Sequence, residues 1–222
     1  PQVDAILISH DHYDHLDHKT VKKIAKRNIK WHVPLGVGAH LEKWGVHDSN
    51  IIEMDWWQEK SLGSLKIVAT PARHFSGRGM FDKAKAFWAS WTVIGQKQRF
   101  YYSGDTGLSE HFKNIGNKYG PFDLSIIQIG AYNKNWPYIH MFPEEAITAL
   151  NMLKSKTILP VHWGTFNLAM HKWDEPVERL IKGADKTITI ISPIPGEMVS
   201  FSNSLPQERW WRKVVQLPKE SN

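Results

Sequence analysis

Four histidines and three aspartates crowd into the eleven residues ISHDHYDHLDH, from Ile8 to His18, directly behind the apolar run Val3 to Ile8. Imidazole nitrogen and carboxylate oxygen are the donors zinc takes when thiolate is absent, and this chain has no cysteine. In an extended loop alternate side chains point the same way, so His10 and His12 can share one ion while Asp14 and His15, beyond a turn, address another. A solvated polar loop is the plain alternative, but three histidines and an aspartate in this order favour a metal. A working centre needs further donors, and other strand ends are expected to supply them. His74 follows a strand ending in TPA, Asp105 lies in YYSGDTG and His162 in ILPVHWG. Each sits behind an apolar run and beside small or turn-forming residues, where an α/β scaffold presents functional groups. Any one alone reads as an ordinary loop or cap residue; their joint placement at strand ends does not.

The elements that carry these residues follow from periodicity. Val3 to Ser9 reads as a short buried strand, and Asp17 stands where a helix N-cap would, ahead of HKTVKKIAKR with its Val21, Ile24 and Ala25 spacing. Lys30 to Val33 and Asn50 to Met54 read as strands around a helix at Gly38 to Trp44, and Leu65 to Ala69 as another strand. From Phe87 onward, WASWTVIG, a turn at GQKQ and RFYYSGDTG repeat the same pattern. FDLSIIQIG, KTILPVHWG and KTITIIS are three more strand candidates, with helices at PEEAITALNMLK and EPVERLIKGA between them. Strand and helix alternate, but hairpin-like pairs intervene. Two packed sheets with helices outside therefore fit better than one doubly wound sheet.

With 222 residues, 41% of them hydrophobic and 23% charged, the chain can bury a sizeable core and reads as one domain over 1–222. No apolar run approaches the roughly 18 residues a membrane helix requires. The net charge of +6 favours anionic partners: phosphate esters, nucleic acid or an acidic membrane surface. The chain opens at Pro1 without an initiator methionine and by Val3 is already in a strand, so the expectation is an N-terminally incomplete domain whose targeting segments cannot be read.

HDHYDH followed by GDTG and VHWG resembles the metallo-β-lactamase superfamily. The resemblance implies a four-layer αβ/βα sandwich with a two-metal site at one edge, here expected to lack some N-terminal strands. It also implies His10, His12 and His74 on one metal, Asp14, His15 and His162 on the second, and Asp105 bridging both. SHDHYDHLD, TPARHFSGR, FWASW, YYSGDTG, IGAY, HMFPEEA and VHWGTFNLA, spread from Val3 to about Phe201, are similar to the branch containing N-acyl-phosphatidylethanolamine-hydrolysing phospholipase D and its bacterial relatives. Lys134 and Asn135 stand where that branch has a Pro-Arg pair, a change that bears on substrate rather than on the metal ligands.

Two ions about 3.5 to 4 Å apart can hold a bridging hydroxide as nucleophile, so no protein nucleophile is required. Zinc is expected, with iron and manganese compatible with the same donors. Asp17 can orient a ligand imidazole or simply cap its helix. His140 can contact a phosphate or donate a proton to the leaving oxygen, or it is a packed interfacial histidine. Arg78 can meet an anionic substrate or lie solvated. Trp210 and Trp211, inside RWWRK, suit a lipid headgroup region, although core packing explains them as well.

The leading expectation is a phosphodiesterase of phospholipase D type acting on N-acyl phosphatidylethanolamine-like lipids. Alternatives are a lactonase or phosphoesterase of a small soluble anion, a nuclease, and a non-enzymatic fragment. Scattered lysines and arginines with no long basic arm disfavour nucleic acid. A peripheral membrane contact, a second copy of the chain as partner, and a cytoplasmic or membrane-peripheral location complete the expectations.

Overall fold

In the computed structural model, which describes residues 2–201 and 203–215, the alternation of side chains along each strand decides what packs where. β1 (Ala5–Leu7), β2 (Lys30–Pro34) and β3 (Ile51–Met54) form a parallel sheet in the order β1-β2-β3. Successive residues of a strand face opposite ways. Ile6, Trp31, Val33 and Ile51 pack outward against α1 (His18–Ile24) and α2 (Gly38–Lys43), which contribute Val21 and Leu41, while Leu7, Ile52 and Met54 turn inward. A 3₁₀ turn over Asp48–Asn50 leads into β3.

The second sheet has seven strands: β4 (Glu59–Leu62), β5 (Leu65–Thr70), β6 (Ser90–Ile94), β7 (Arg99–Tyr102), β8 (Leu124–Gln128), β9 (Thr157–Val161) and β10 (Thr189–Ile190). Their order is β10-β9-β8-β7-β6-β5-β4; β7 to β10 run parallel, and β4 to β7 pair antiparallel in succession. Ile67, Ala69, Trp91 and Tyr102 face the first sheet. Val68, Tyr101, Ile127 and Ile158 face the other way, onto α3 (His111–Tyr119), α4 (Pro143–Met152) and α5 (Glu175–Gly183). The layers therefore run helix, sheet, sheet, helix, the expected four-layer αβ/βα sandwich. Trp91 ties the two sheets, its indole N–H donating to Ile8 O at 2.9 Å.

Three elements go beyond the sequence reading. β4 is an edge strand with mostly exposed residues, so it lacks an apolar alternation to betray it. α3 carries Gly116 in its interior yet buries Phe112, Ile115 and Tyr119, a helical spacing. The third, α6 (Trp211–Val215), bears on the two readings of the Trp210-Trp211 pair. Trp211 is fully buried, its indole donating to Glu178 Oε1 at 2.8 Å, and Trp210 packs against the same core beside Trp163. Tertiary burial, which spacing does not reveal, seals Trp211 and partly covers Trp210, which favours the core-packing alternative. Among the described residues no helix is long and apolar enough to cross a membrane.

Candidate metal centre

Strand direction gathers the donors. β5, β7, β8 and β9 point the same way because two antiparallel steps separate β5 from β7 and the rest are parallel. The loops after them hold His74, Asp105, His140 and His162, and the loop after β1 brings His10, His12, Asp14 and His15 to the same edge. That loop is tight: His15 N and Leu16 N both donate to His12 O, at 3.1 and 2.8 Å.

All seven donors expected from the sequence come together. His12 Nδ1 lies 3.0 Å from His10 Nε2 and 3.2 Å from His74 Nε2. In the second set, Asp105 Oδ2 lies 3.1 Å from His15 Nε2 and 3.3 Å from His162 Nε2, and Asp14 Oδ2 lies 3.4 and 3.2 Å from the same two nitrogens. Asp105 Oδ2 is also 3.8 Å from both His10 Nε2 and His74 Nε2, so one oxygen stands between the two sets. A tetrahedral ion with ligands near 2.0–2.1 Å spaces them about 3.3 Å apart. The observed separations fit that edge. Asp105 is almost fully buried, and its Oδ1 has no hydrogen-bond donor among the described residues; an orphan oxygen of this kind is costly unless a cation meets it.

Backbone shape aims the donors. Gly104 adopts φ +55° immediately before Asp105, where a Cβ would lie 2.6 Å from the Ser9 side chain. His162 itself has φ +63°, a left-handed conformation uncommon outside glycine and typical of functional positions. Gly130, at the end of β8, lets His162 sit there, since a Cβ on it would be 1.9 Å from His162 O. Ser9 Oγ lies 3.0 Å from His10 Nδ1, and Ile139 O lies 3.3 Å from His74 Nδ1. Partners on the far nitrogen of this kind turn Nε2 toward a metal.

Electrostatics divides the histidines. Burial pushes His10 well below its ordinary value, His74 down to about 3 and His140 down to about 4, leaving these rings neutral and able to ligate. At His15 burial acts in the same direction, but its contacts with Asp105 and Asp14 outweigh it and raise the ring to about 10. Asp14 and Asp105 are held well below the usual carboxylate range against the pull of burial, chiefly by the imidazoles around them. A cation binding at the second set must displace the His15 proton, so its affinity falls with acid.

A cavity of about 830 Å³ opens over the donors, walled by Phe75, Trp136, Ile139, Phe166 and Leu168, with His140 on its lining. His140 Nδ1 sits 2.7 Å from Gln128 Oε1, and the Gln128 amide nitrogen donates to Met141 O at 3.3 Å, which marks Oε1 as the acceptor. Gln128 was not anticipated; the only signal was a polar residue closing an apolar strand. Asp17 resolves as a cap, accepting from Thr20 N at 2.7 Å and Thr20 Oγ1 at 2.6 Å. Arg78, expected to meet substrate, is not among the residues lining the cavity. Its Nη1 donates to Asp11 O at 2.5 Å and Leu16 O at 2.8 Å, and its guanidinium lies over the rings of Tyr13 and Trp44. The loop's own carbonyls outcompete a solvent-facing position. Asp11, also unanticipated, is buried, and its Oδ1 accepts from Gly77 N at 2.8 Å.

Residues 1–163 match the beta-lactamase superfamily domain. An uncharacterized protein of Mycobacterium tuberculosis is 48% identical over 217 residues, 96% of this chain and 58% of that protein. The N-acyl-phosphatidylethanolamine-hydrolyzing phospholipase D 1 of Caenorhabditis elegans is 39% identical over 197 residues, 81% of this chain and 54% of that protein. The chain thus spans little more than half the length of these relatives. Among solved structures, Igni18, a metallo hydrolase from the archaeon Ignicoccus hospitalis, shares the fold with a TM-score of 0.71 at 23% identity, covering 91% of this chain and 81% of that one.

Proposed function

The chain belongs to the beta-lactamase superfamily, and from that premise we propose that it is a metal-dependent hydrolase, a phosphodiesterase of phospholipase D type on N-acyl phosphatidylethanolamine-like lipids. The observation that carries the hydrolase reading is Asp105 Oδ2, one carboxylate oxygen poised between two sets of histidines. His10, His12 and His74 would hold one divalent ion, and Asp14, His15 and His162 the other, with Asp105 shared. Zinc suits this donor set best, and iron or manganese would also be accepted. Ions bound there supply a water acidified to near neutrality as nucleophile and positive charge for the phosphate oxygens.

The chain's own groups do the rest. Phe75, Trp136, Ile139, Phe166 and Leu168 give the cavity apolar walls that suit acyl chains. His140 donates from Nδ1 to Gln128 and is neutral, so Nε2 is left to accept a proton. It can protonate the leaving oxygen only after taking that proton up. The lipid reading is supported by the apolar walls and by similarity to the nematode phospholipase.

The test is product identification by mass after incubating the metal-loaded protein with N-acyl phosphatidylethanolamine in mixed micelles. Phosphatidic acid and an N-acyl ethanolamine are expected. Asp105→Asn should lose at least about a hundredfold in kcat and bind fewer than two ions. Two bound ions without turnover would refute the lipid substrate; failure to bind two ions would refute the centre.

A further inference from the structure

Beyond His162 the chain makes a loop, residues 163–173, before it enters α5. The two ends of the loop meet: the Trp163 and Trp173 rings stack with centroids 6.3 Å apart and planes 9° from parallel. Between these ends, Phe166 and Leu168 line the large cavity and also a smaller one, of about 310 Å³, that reaches His15 and His162. The two side chains are thus a wall common to both spaces, yet each is more than half exposed. Among the described residues no backbone hydrogen bond ties residues 163–170 to another segment. Side chains that bury so little area cannot fix a wall by packing alone, so its position has to come from where the loop is pinned.

His171 is the pin. Its Nε2 accepts from Ala131 N at 2.9 Å, and its Nδ1 donates to Lys172 O at 2.9 Å, so a single neutral tautomer commits both nitrogens. The ring stacks on Tyr132, centroids 4.5 Å apart. Tyr132 is itself held, its hydroxyl donating to Glu175 Oε1 at 2.8 Å and the Arg179 guanidinium lying 4.9 Å from its ring centre. Ala131 is buried, lies on the lining of both cavities and has φ +60°. An amide buried at such a turn is outside the strand ladder and needs another acceptor. His171 supplies it from outside, since it lines neither cavity.

We infer that His171 is a positioning residue for substrate selection. By accepting from Ala131 N it sets where Phe166 and Leu168 stand, and through them the preference of the site for a phosphate group that carries an apolar chain. The inference rests on the reading of the cavity as a site for apolar chains. It assigns that preference to a polar contact as well as to the apolar walls: without the acceptor, the Ala131 N–H is orphaned at a buried position, and the local structure rearranges to meet water.

The experiment measures binding of octylphosphonate and methylphosphonate to the metal-loaded protein by titration calorimetry. Neither C–P bond can be hydrolysed, so the readout is independent of turnover. The parent should prefer octylphosphonate by roughly a hundredfold or more, the added methylenes being partly buried. His171→Ala should narrow that preference by roughly tenfold through octylphosphonate alone, with methylphosphonate affinity and metal content within about twofold of the parent. His171→Phe, which keeps a ring on Tyr132 but no acceptor, should lose as much. His171→Gln, whose amide oxygen can accept from Ala131 N, should restore most of the preference. Phe166→Ala/Leu168→Ala should show a comparable loss, and adding His171→Ala to it should cost less than about twofold more, because residues that act through one another are not additive. The Ala131 amide should lose protection from hydrogen exchange in His171→Ala and regain it in His171→Gln.

An unchanged preference in His171→Ala and His171→Phe, or a full additional loss on the Phe166→Ala/Leu168→Ala background, would overturn the inference. Equal losses for both phosphonates would do so too, since they mark damage to the metal centre. A parent that binds neither phosphonate, or both equally, would remove the apolar-chain reading and the inference with it. A preference that is lost with His171 and restored by glutamine would uphold the inference even if N-acyl phosphatidylethanolamine is not hydrolysed.

Discussion

His140 and Arg78 show how far a residue's role depends on which of its atoms is already committed. His140 has Nδ1 on Gln128 Oε1 and stacks on the His162 ring, 5.3 Å between centroids, so one edge is fixed and the other serves the cavity. His140→Ala should lower kcat roughly a hundredfold to ten-thousandfold, the range for a positioned proton carrier, with metal content unchanged. Loss of an ion would instead make it a ligand, which its proximity to His74 and Asp105 also permits geometrically. Arg78 has the contrary problem: its Nη1 is committed to the two carbonyls that bracket the His12–His15 turn. Each hydrogen bond from a charged donor contributes about 1.5–3 kcal/mol. Arg78→Ala is therefore expected to loosen the loop and weaken metal binding by about tenfold or more, read by competition with a chelator, with KM little changed. A raised KM at full metal occupancy would restore the substrate-binding role expected from its position.

At the scale of elements, the centre depends on β8 and β9 ending side by side. Gln128 pairs with Val161, and Ile129 N donates to Val161 O at 3.0 Å, so the chain leaves both strands against itself at Gly130 and His162. Gly130→Ala places a methyl inside the His162 carbonyl, a clash with rigid backbone. The expected cost is about 3 kcal/mol or more, seen as a lowered unfolding midpoint, and loss of the second metal before the first in a titration. Survival of both would mean that β9 can slide without moving His162. β4 teaches the converse lesson: it pairs only with β5, shows solvent most of its side chains and carries no donor, so its polar sequence is no defect.

Across the whole molecule, stability is expected to depend on pH through groups outside the centre as well as within it. His111, the first residue of α3, is buried, its ring 4.1 Å from that of Phe112 with Ser109 Oγ on Nδ1. Burial first, and the charge of Arg73 second, push it down to about 4. The unfolded chain has this group near 6.5. Between those values the unfolded state binds more protons, so the contribution is complete above about pH 6.5 and is lost as pH falls toward 4. At about 1.4 kcal/mol per unit, that is up to about 3 kcal/mol. His111→Gln should flatten this acid limb in urea unfolding measured from about pH 7 to 4; an unchanged slope would place the sensitivity in the metal cluster.

Much of the site was legible because its donors obey local rules. A strand announces itself by alternation, its end by small and polar residues, and a group able to bind metal, such as His10 or Asp105, stands out there because nothing local requires it. The double-sheet grouping was legible because hairpin-like pairs interrupt the alternation of strand and helix; in the structure neighbours such as Ile6 and Leu7, or Val68 and Ala69, serve two buried faces. What tertiary structure alone decided were matters of long-range company. Trp211 and Phe81 are equally apolar in the sequence, yet one is sealed beneath α5 and the other stands in water. Arg78 donates to carbonyls 62 and 67 residues away in the sequence, partners that spacing alone does not reveal. Composition and spacing determine which groups can bind metal, pack or carry charge; which partner each one meets depends on strand order and on competition for neighbours, and these exist only once the chain has closed on itself.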